Sequence, residues 1–143
     1  MTLPYEPTLH LYVKAALAMK ALDVVVLDVR ALTSFADTFI ICSGRSHRQV
    51  SAIAEFIEHH LKKQGINPLG VEGLREGHWV LMDYGDVVIH VFYEPVRIFY
   101  DLEGLWSDAR RIVLGETRSG QAGKYEIRNP KHETNTNVQS TKS

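Results

Sequence analysis

The stretch HWVLMDYGDVVIHVFYE, residues 78–94, decides how the chain folds. Two apolar arms flank a Gly-containing turn, the pattern of a β-hairpin. The turn is expected near Tyr84–Gly85, where glycine tolerates positive φ. The second arm, DVVIHVFY, is apolar on both faces and belongs nearer the centre of a sheet than the first. The first arm alternates. Trp79, Leu81 and Asp83 share one face, and Val80, Met82 and Tyr84 share the other. If Asp83 faces water, Trp79 and Leu81 face water with it. Either the last helix or a neighbouring strand covers Trp79, or the row is an exposed docking surface. Tryptophan is enriched at binding hot spots, and an edge strand offers unpaired backbone groups to a partner.

Outward from the hairpin, Thr8 can cap a first helix whose apolar positions run through Leu9, Val13, Ala16, Leu17 and Met19, ending near Lys20. DVVVLDV, residues 23–29, predicts a strand buried on both faces, and TFIICSG, residues 38–44, a second. Ser46 can cap a helix from His47 to about Gln64, with Val50, Ile53, Ala54, Ile57 and Leu61 as its apolar stripe and Gly65 just beyond its end. A short strand around Leu69–Val71 follows, and Pro68 places it at an edge. After the hairpin, Pro95 can open a helix that continues to about Val113, with Gly104 a break. A strand, a long helix and a further strand favour a right-handed crossover and a parallel pair, to which the hairpin adds antiparallel pairing. The predicted class is therefore α/β: one domain over residues 1–114, with a mixed β-sheet and helices packed on it. Residues 115–143 have few large apolar side chains and many turn formers, and are expected to be a disordered tail.

Composition narrows the function. The 143 residues carry a formal charge of −1. Residues 1–114 hold 11 Lys and Arg against 14 Asp and Glu, and the tail holds 5 against 3. A protein that grips nucleic acid through phosphates normally shows a basic surplus, so contact with a nucleoprotein would run through protein. At most, the tail's small surplus permits weak contact with nucleic acid. Cys42 is the single cysteine, so no intramolecular disulfide forms, and its apolar neighbours predict a buried, inert thiol. No apolar run reaches the roughly 18–20 residues of a membrane span. The N-terminus lacks a basic segment followed by an apolar one, so a cytoplasmic protein is expected.

Several constellations could carry chemistry. His59 and His60 are neighbours on one helix and diverge by about 100°. His78 and His90 stand on opposite arms of the hairpin, within reach of each other. No HxH or HExxH spacing marks a metal site. SGRSHRQ, residues 43–49, is a strand–turn–helix that can offer backbone N–H groups to an anion with Arg45 and Arg48 beside it, or is simply a serine-capped helix start. Asp83 and Asp86, with Asp28 and Asp37 as further acids, would have to converge for magnesium-dependent nucleotidyl transfer. Nothing marks a strained nucleophile turn. No catalytic residue, cofactor or metal is assigned.

ADTFIICSGRSHRQVSAIAEFIE, PLGVEG, WVLMDYGDVVIHVF and RIFYDLEGLW, in that order and spacing, resemble the ribosomal silencing factor (RsfS, iojap-like) family. The resemblance covers roughly Leu9 to Arg110, and the tail after Gly115 is set outside the family pattern. Arg45 stands where many members carry threonine. The resemblance implies a nucleotidyltransferase-like topology without the catalytic carboxylates, and no enzymatic activity. It implies binding to the large ribosomal subunit through its ribosomal protein uL14, on the face that meets the small subunit. That binding blocks subunit joining and represses translation under nutrient limitation. It also implies a homodimer when free. Carried onto this sequence, the ribosomal-protein-binding residues are Trp79 as anchor, Leu81 and Asp83 beside it, and Tyr84 at the turn. The competing expectations are a nucleotide-binding enzyme built on the SGRS turn and the DYGD acids, and a structural dimer whose self-interface is the Trp79 row.

Overall fold

A computed structural model of the chain describes residues 9–114 and 125–128. The elements are α1 (Leu9–Ala18), β1 (Leu22–Asp28), β2 (Thr38–Gly44), α2 (His47–Lys63), β3 (Gly70–Glu72), β4 (Trp79–Asp83), β5 (Val87–Tyr93), α3 (Glu94–Tyr100), α4 (Leu102–Leu105), β6 (Arg110–Leu114) and β7 (Tyr125–Arg128). They build one mixed sheet in the order β3-β4-β5-β2-β1-β6-β7.

The centre of the sheet follows burial. All seven residues of β2 are buried. Its parallel partner is β5, in register from Thr38 opposite Val87 to Gly44 opposite Tyr93. The parallel pair was expected between the strands that flank α2, which are β2 and β3. Instead β3, three residues long and largely exposed, forms the far edge of the sheet. Its polar sequence cannot occupy a place buried on both faces, whereas β5 can. The edge position agrees with Pro68.

α2 starts where its cap predicts. Ser46 Oγ accepts from the Gln49 N–H at 3.0 Å, and Gln49 Oε1 accepts from the Arg45 N–H at 2.7 Å. Its predicted stripe is fully buried and, with α1, seals one face of the sheet over Ile40, Cys42, Val80, Met82, Val87, Ile89 and Val91. The opposite face holds a second cluster, with Leu27, Phe39, Ile41 and Phe92 from the strands and Leu102 from α4.

Several expectations are corrected. β1 is buried only over its C-terminal half. Asp23 is exposed with φ +47°, and the register to β2 shifts between Leu22 and Val25. The hairpin turn falls at Gly85–Asp86, one residue later than expected. The Tyr84 N–H donates to the Val87 carbonyl, and Gly85 takes φ +89°. Positive φ at the first central residue alone is the pattern of a type II′ turn. The last helix does not reach Val113. Asp101 adopts the left-handed conformation, ends α3 and caps α4 by accepting from the Gly104 N–H. A Cβ at Gly104 would collide with that carboxylate. The chain then returns as β6, antiparallel to β1 with Ile112 opposite Val26. The β-branched pair in RRIVL suits a strand better than a helix. β7 pairs with β6, so disorder does not hold for Tyr125–Arg128, where Tyr125 and Ile127 alternate with polar residues. The Thr8 cap and the rest of residues 115–143 lie outside the described residues.

Candidate docking surface

The hairpin register sets the site. Across β4 and β5, Trp79 stands opposite Phe92, Leu81 opposite His90 and Asp83 opposite Val88. Trp79, Leu81 and Asp83 lie half-buried on the face away from α1 and α2, while Val80 and Met82 are fully buried on the other. The structure thus brings three of the four expected contact residues into one row.

Trp79 is neither covered nor free. Its indole stacks on Phe92 with centroids 4.8 Å apart and leans on Tyr100 of α3 at 5.2 Å. Its Nε1–H donates to His90 Nδ1 at 3.1 Å. Tyr100 in turn meets Phe99 edge-on at 5.1 Å, and His90 meets Phe39 edge-on at 5.1 Å. An aromatic chain therefore runs across the sheet face and onto α3. There Phe99 is 80% exposed and the adjacent Ile98 is 78% exposed. Apolar residues that open to water in a connected group mark an interaction surface more often than scattered ones do.

α3 is held by a buried cation. Arg97 donates to Ser43 Oγ at 2.7 Å and to both Glu103 oxygens at 2.9 and 3.0 Å. The Arg97 hydrogen bond holds the Glu103 carboxyl below its ordinary range, against the opposing effect of burial. This clamp fixes Tyr100 and Phe99 relative to the sheet, and local sequence patterns carry no sign of it.

Asp83 Oδ1 accepts the Gly85 N–H at 2.8 Å, so the carboxylate also shapes the turn. Tyr84 belongs elsewhere. Its ring turns to the helical side and meets Tyr12 of α1 edge-on at 5.2 Å. Burial holds its hydroxyl well above the usual range, and the charge of Glu58 adds to the effect. Side-chain alternation already separates position 84 from 79, 81 and 83.

His90, expected near His78, instead serves Trp79. His90 is 4% exposed. Burial pulls its pKa down to about 4, so the ring is neutral at physiological pH. An indole N–H only donates, so Nδ1 accepts and the imidazole proton sits on Nε2. Nε2 is buried and has no hydrogen-bond partner among the described residues. A buried polar group left unpaired costs roughly 1–3 kcal/mol.

The remaining candidates disperse. His78 Nδ1 lies 3.2 Å from His47 Nε2, so His78 packs against α2 and not against His90. His60 stacks on Phe56 at 5.5 Å. Asp28 is buried and paired with Arg30 at 3.0 Å, while Asp86 is exposed at the turn. Among the described residues no three His, Cys, Asp or Glu side chains converge as metal ligands. Burial pushes the Cys42 thiol up to about 12 despite the nearby Arg97 charge, as expected for an inert thiol. No helix among the described residues is long and apolar enough to cross a membrane.

The geometry defines a class of protein first: an α/β domain that seals one sheet face with helices and presents an aromatic row on the other. A family model described as "Ribosomal silencing factor during starvation" matches residues 3–143. The stretch after Gly115, set outside the family pattern above, falls within that match. Ribosomal silencing factor RsfS of Halalkalibacterium halodurans is 43% identical over 109 residues, 76% of this chain and 93% of that protein. Its counterpart in Bacillus subtilis is 46% identical over 90 residues, 63% of this chain and 76% of that protein. A crystal structure of a Chromobacterium violaceum protein is similar with a TM-score of 0.66 and 36% identity, covering 85% of this chain and 91% of that one. The chain belongs to the ribosomal silencing factor family. Its curated bacterial relatives are named as ribosomal silencing factors.

Proposed function

We propose that the protein silences ribosomes sterically. It docks on the large subunit through ribosomal protein uL14, occupies the face that meets the small subunit, and so blocks subunit joining and represses translation when nutrients are scarce. The observation that carries this reading is the row of Trp79, Leu81 and Asp83 on the sheet face that α3 and α4 leave partly open. Trp79 is the anchor. Leu81 widens the apolar contact, and Asp83 steers a basic partner, as ribosomal proteins usually are. Tyr84, turned toward α1, acts only through the shape of the hairpin. The mechanism uses no cofactor and no bond-making step. When free in the cytoplasm the protein is a homodimer. The tail adds no more than weak contact with ribosomal RNA.

The test is subunit association followed by light scattering. Saturating wild-type protein, added to separated subunits, lowers the yield of joined ribosomes, and Trp79→Ala restores it. Undiminished joining with saturating wild type would defeat the reading.

A further inference from the structure

We propose that His90 is a positioning residue for the docking surface: its Nδ1 accepts the indole N–H of Trp79 and fixes which edge of that ring faces the partner. The inference rests on the docking reading and adds a residue that never touches the partner. Phe92 and Tyr100 pack against the Trp79 ring, but ring packing tolerates a half-turn about the Cβ–Cγ bond, which would exchange the two edges of the indole. The 3.1 Å bond to His90 is the one directional contact among these, and it pins the Nε1 edge inward.

The choice of histidine at this position argues for that role. A leucine of similar volume would bring no polar atom of its own among Phe39, Phe92 and Leu81. Histidine instead leaves Nε2 buried without a partner among the described residues. It is a poor core residue whose single polar service is the acceptor for Trp79. A group that lowers stability while ordering a surface is the pattern of a residue kept for function.

The two roles separate experimentally in His90→Leu and His90→Asn. Leucine removes the acceptor and the unpaired nitrogen. Asparagine places a carbonyl where Nδ1 stood but underfills the site. Three quantities are read on the full chain: thermal midpoint, affinity for isolated large ribosomal subunits, and the Trp79 indole peak in a nitrogen–proton correlation spectrum, assigned against Trp106→Phe. His90→Leu is expected to keep or raise the midpoint, shift the indole proton upfield and weaken binding on the order of tenfold, the scale of one lost orienting hydrogen bond. His90→Asn is expected to lower the midpoint yet hold the indole peak and bind within about threefold of wild type.

An unmoved indole peak in His90→Leu would overturn the proposal. So would binding that falls with the midpoint in both variants, which would return His90 to the core. If His90→Leu binds as wild type while Trp79→Ala does not, the positioning role fails and the docking reading stands. If Trp79→Ala also binds as wild type, both fall together.

Discussion

One face of the sheet is closed by α1 and α2, ten and seventeen residues long, and its strand side chains are buried almost completely. The other is met by α3 and α4, seven and four residues long, and keeps Trp79, Val88 and Trp106 only partly covered. The same strands serve both faces. Along β4, Val80 and Met82 point into the sealed side and Trp79, Leu81 and Asp83 into the open one. If the open face is the docking surface proposed above, side-chain parity divides stability from recognition, and mutations one residue apart should fail in different ways.

The largest expected effect lies on the sealed face. Ile57→Ala should lower unfolding stability by about 2–5 kcal/mol, because a fully buried side chain is lost to a cavity. Urea unfolding measures this. The fraction that remains folded should bind large subunits normally, and weakened binding there would erase the division between faces.

A smaller effect comes from His90 and depends on pH. Its folded pKa, about 4, lies below its unfolded value near 6.5, so between those values the unfolded chain binds the extra proton. Stability should therefore fall as pH drops from 6.5 toward 4, then stop responding to this group. His90→Leu should show a shallower decline over that window in thermal unfolding at stepped pH. Equal slopes would mean that the imidazole is not held neutral by its surroundings.

Glu103 follows with a lesser contribution. Its folded pKa is depressed by Arg97, so its contribution is present above the unfolded value and is lost as pH falls through the folded one. Glu103→Gln should be less stable than wild type at neutral pH, and the two curves should converge below about pH 4. It should also loosen α3 and weaken large-subunit binding severalfold.

The smallest change in stability is expected from Phe99→Ser. With 80% of the residue exposed, it should move stability by no more than about 0.5 kcal/mol. If the aromatic chain extends the docking surface onto α3, binding falls a few-fold. Unchanged binding would confine the surface to the strand row.

Much of this division is written in local pattern. The α2 stripe, its Ser46 cap, the buried β2 and the parity of Trp79, Leu81 and Asp83 all follow from helical or alternating periodicity. What was not legible depends on distant partners. β6 is five residues long and looks like the tail of a helix until β1 is there to pair with it. The parallel neighbour of β2 is chosen by relative burial among strands, not by chain order. The Trp79–His90 bond runs diagonally across the hairpin, since Trp79 stands opposite Phe92 and His90 opposite Leu81, and alternation alone does not announce it. The Arg97–Ser43 bond joins residues 54 apart, and no local pattern announces it.

The central claim is that the Trp79 face is the one that meets the ribosome. Co-sedimentation of purified protein with isolated large and small subunits, wild type beside Trp79→Ala, tests it most directly. Wild type should pellet with the large subunit alone. Trp79→Ala, still folded by circular dichroism, should stay in the supernatant, a loss of about 2 kcal/mol or more. Equal pelleting of both proteins, or no binding of wild type to either subunit at micromolar concentration, would contradict the account.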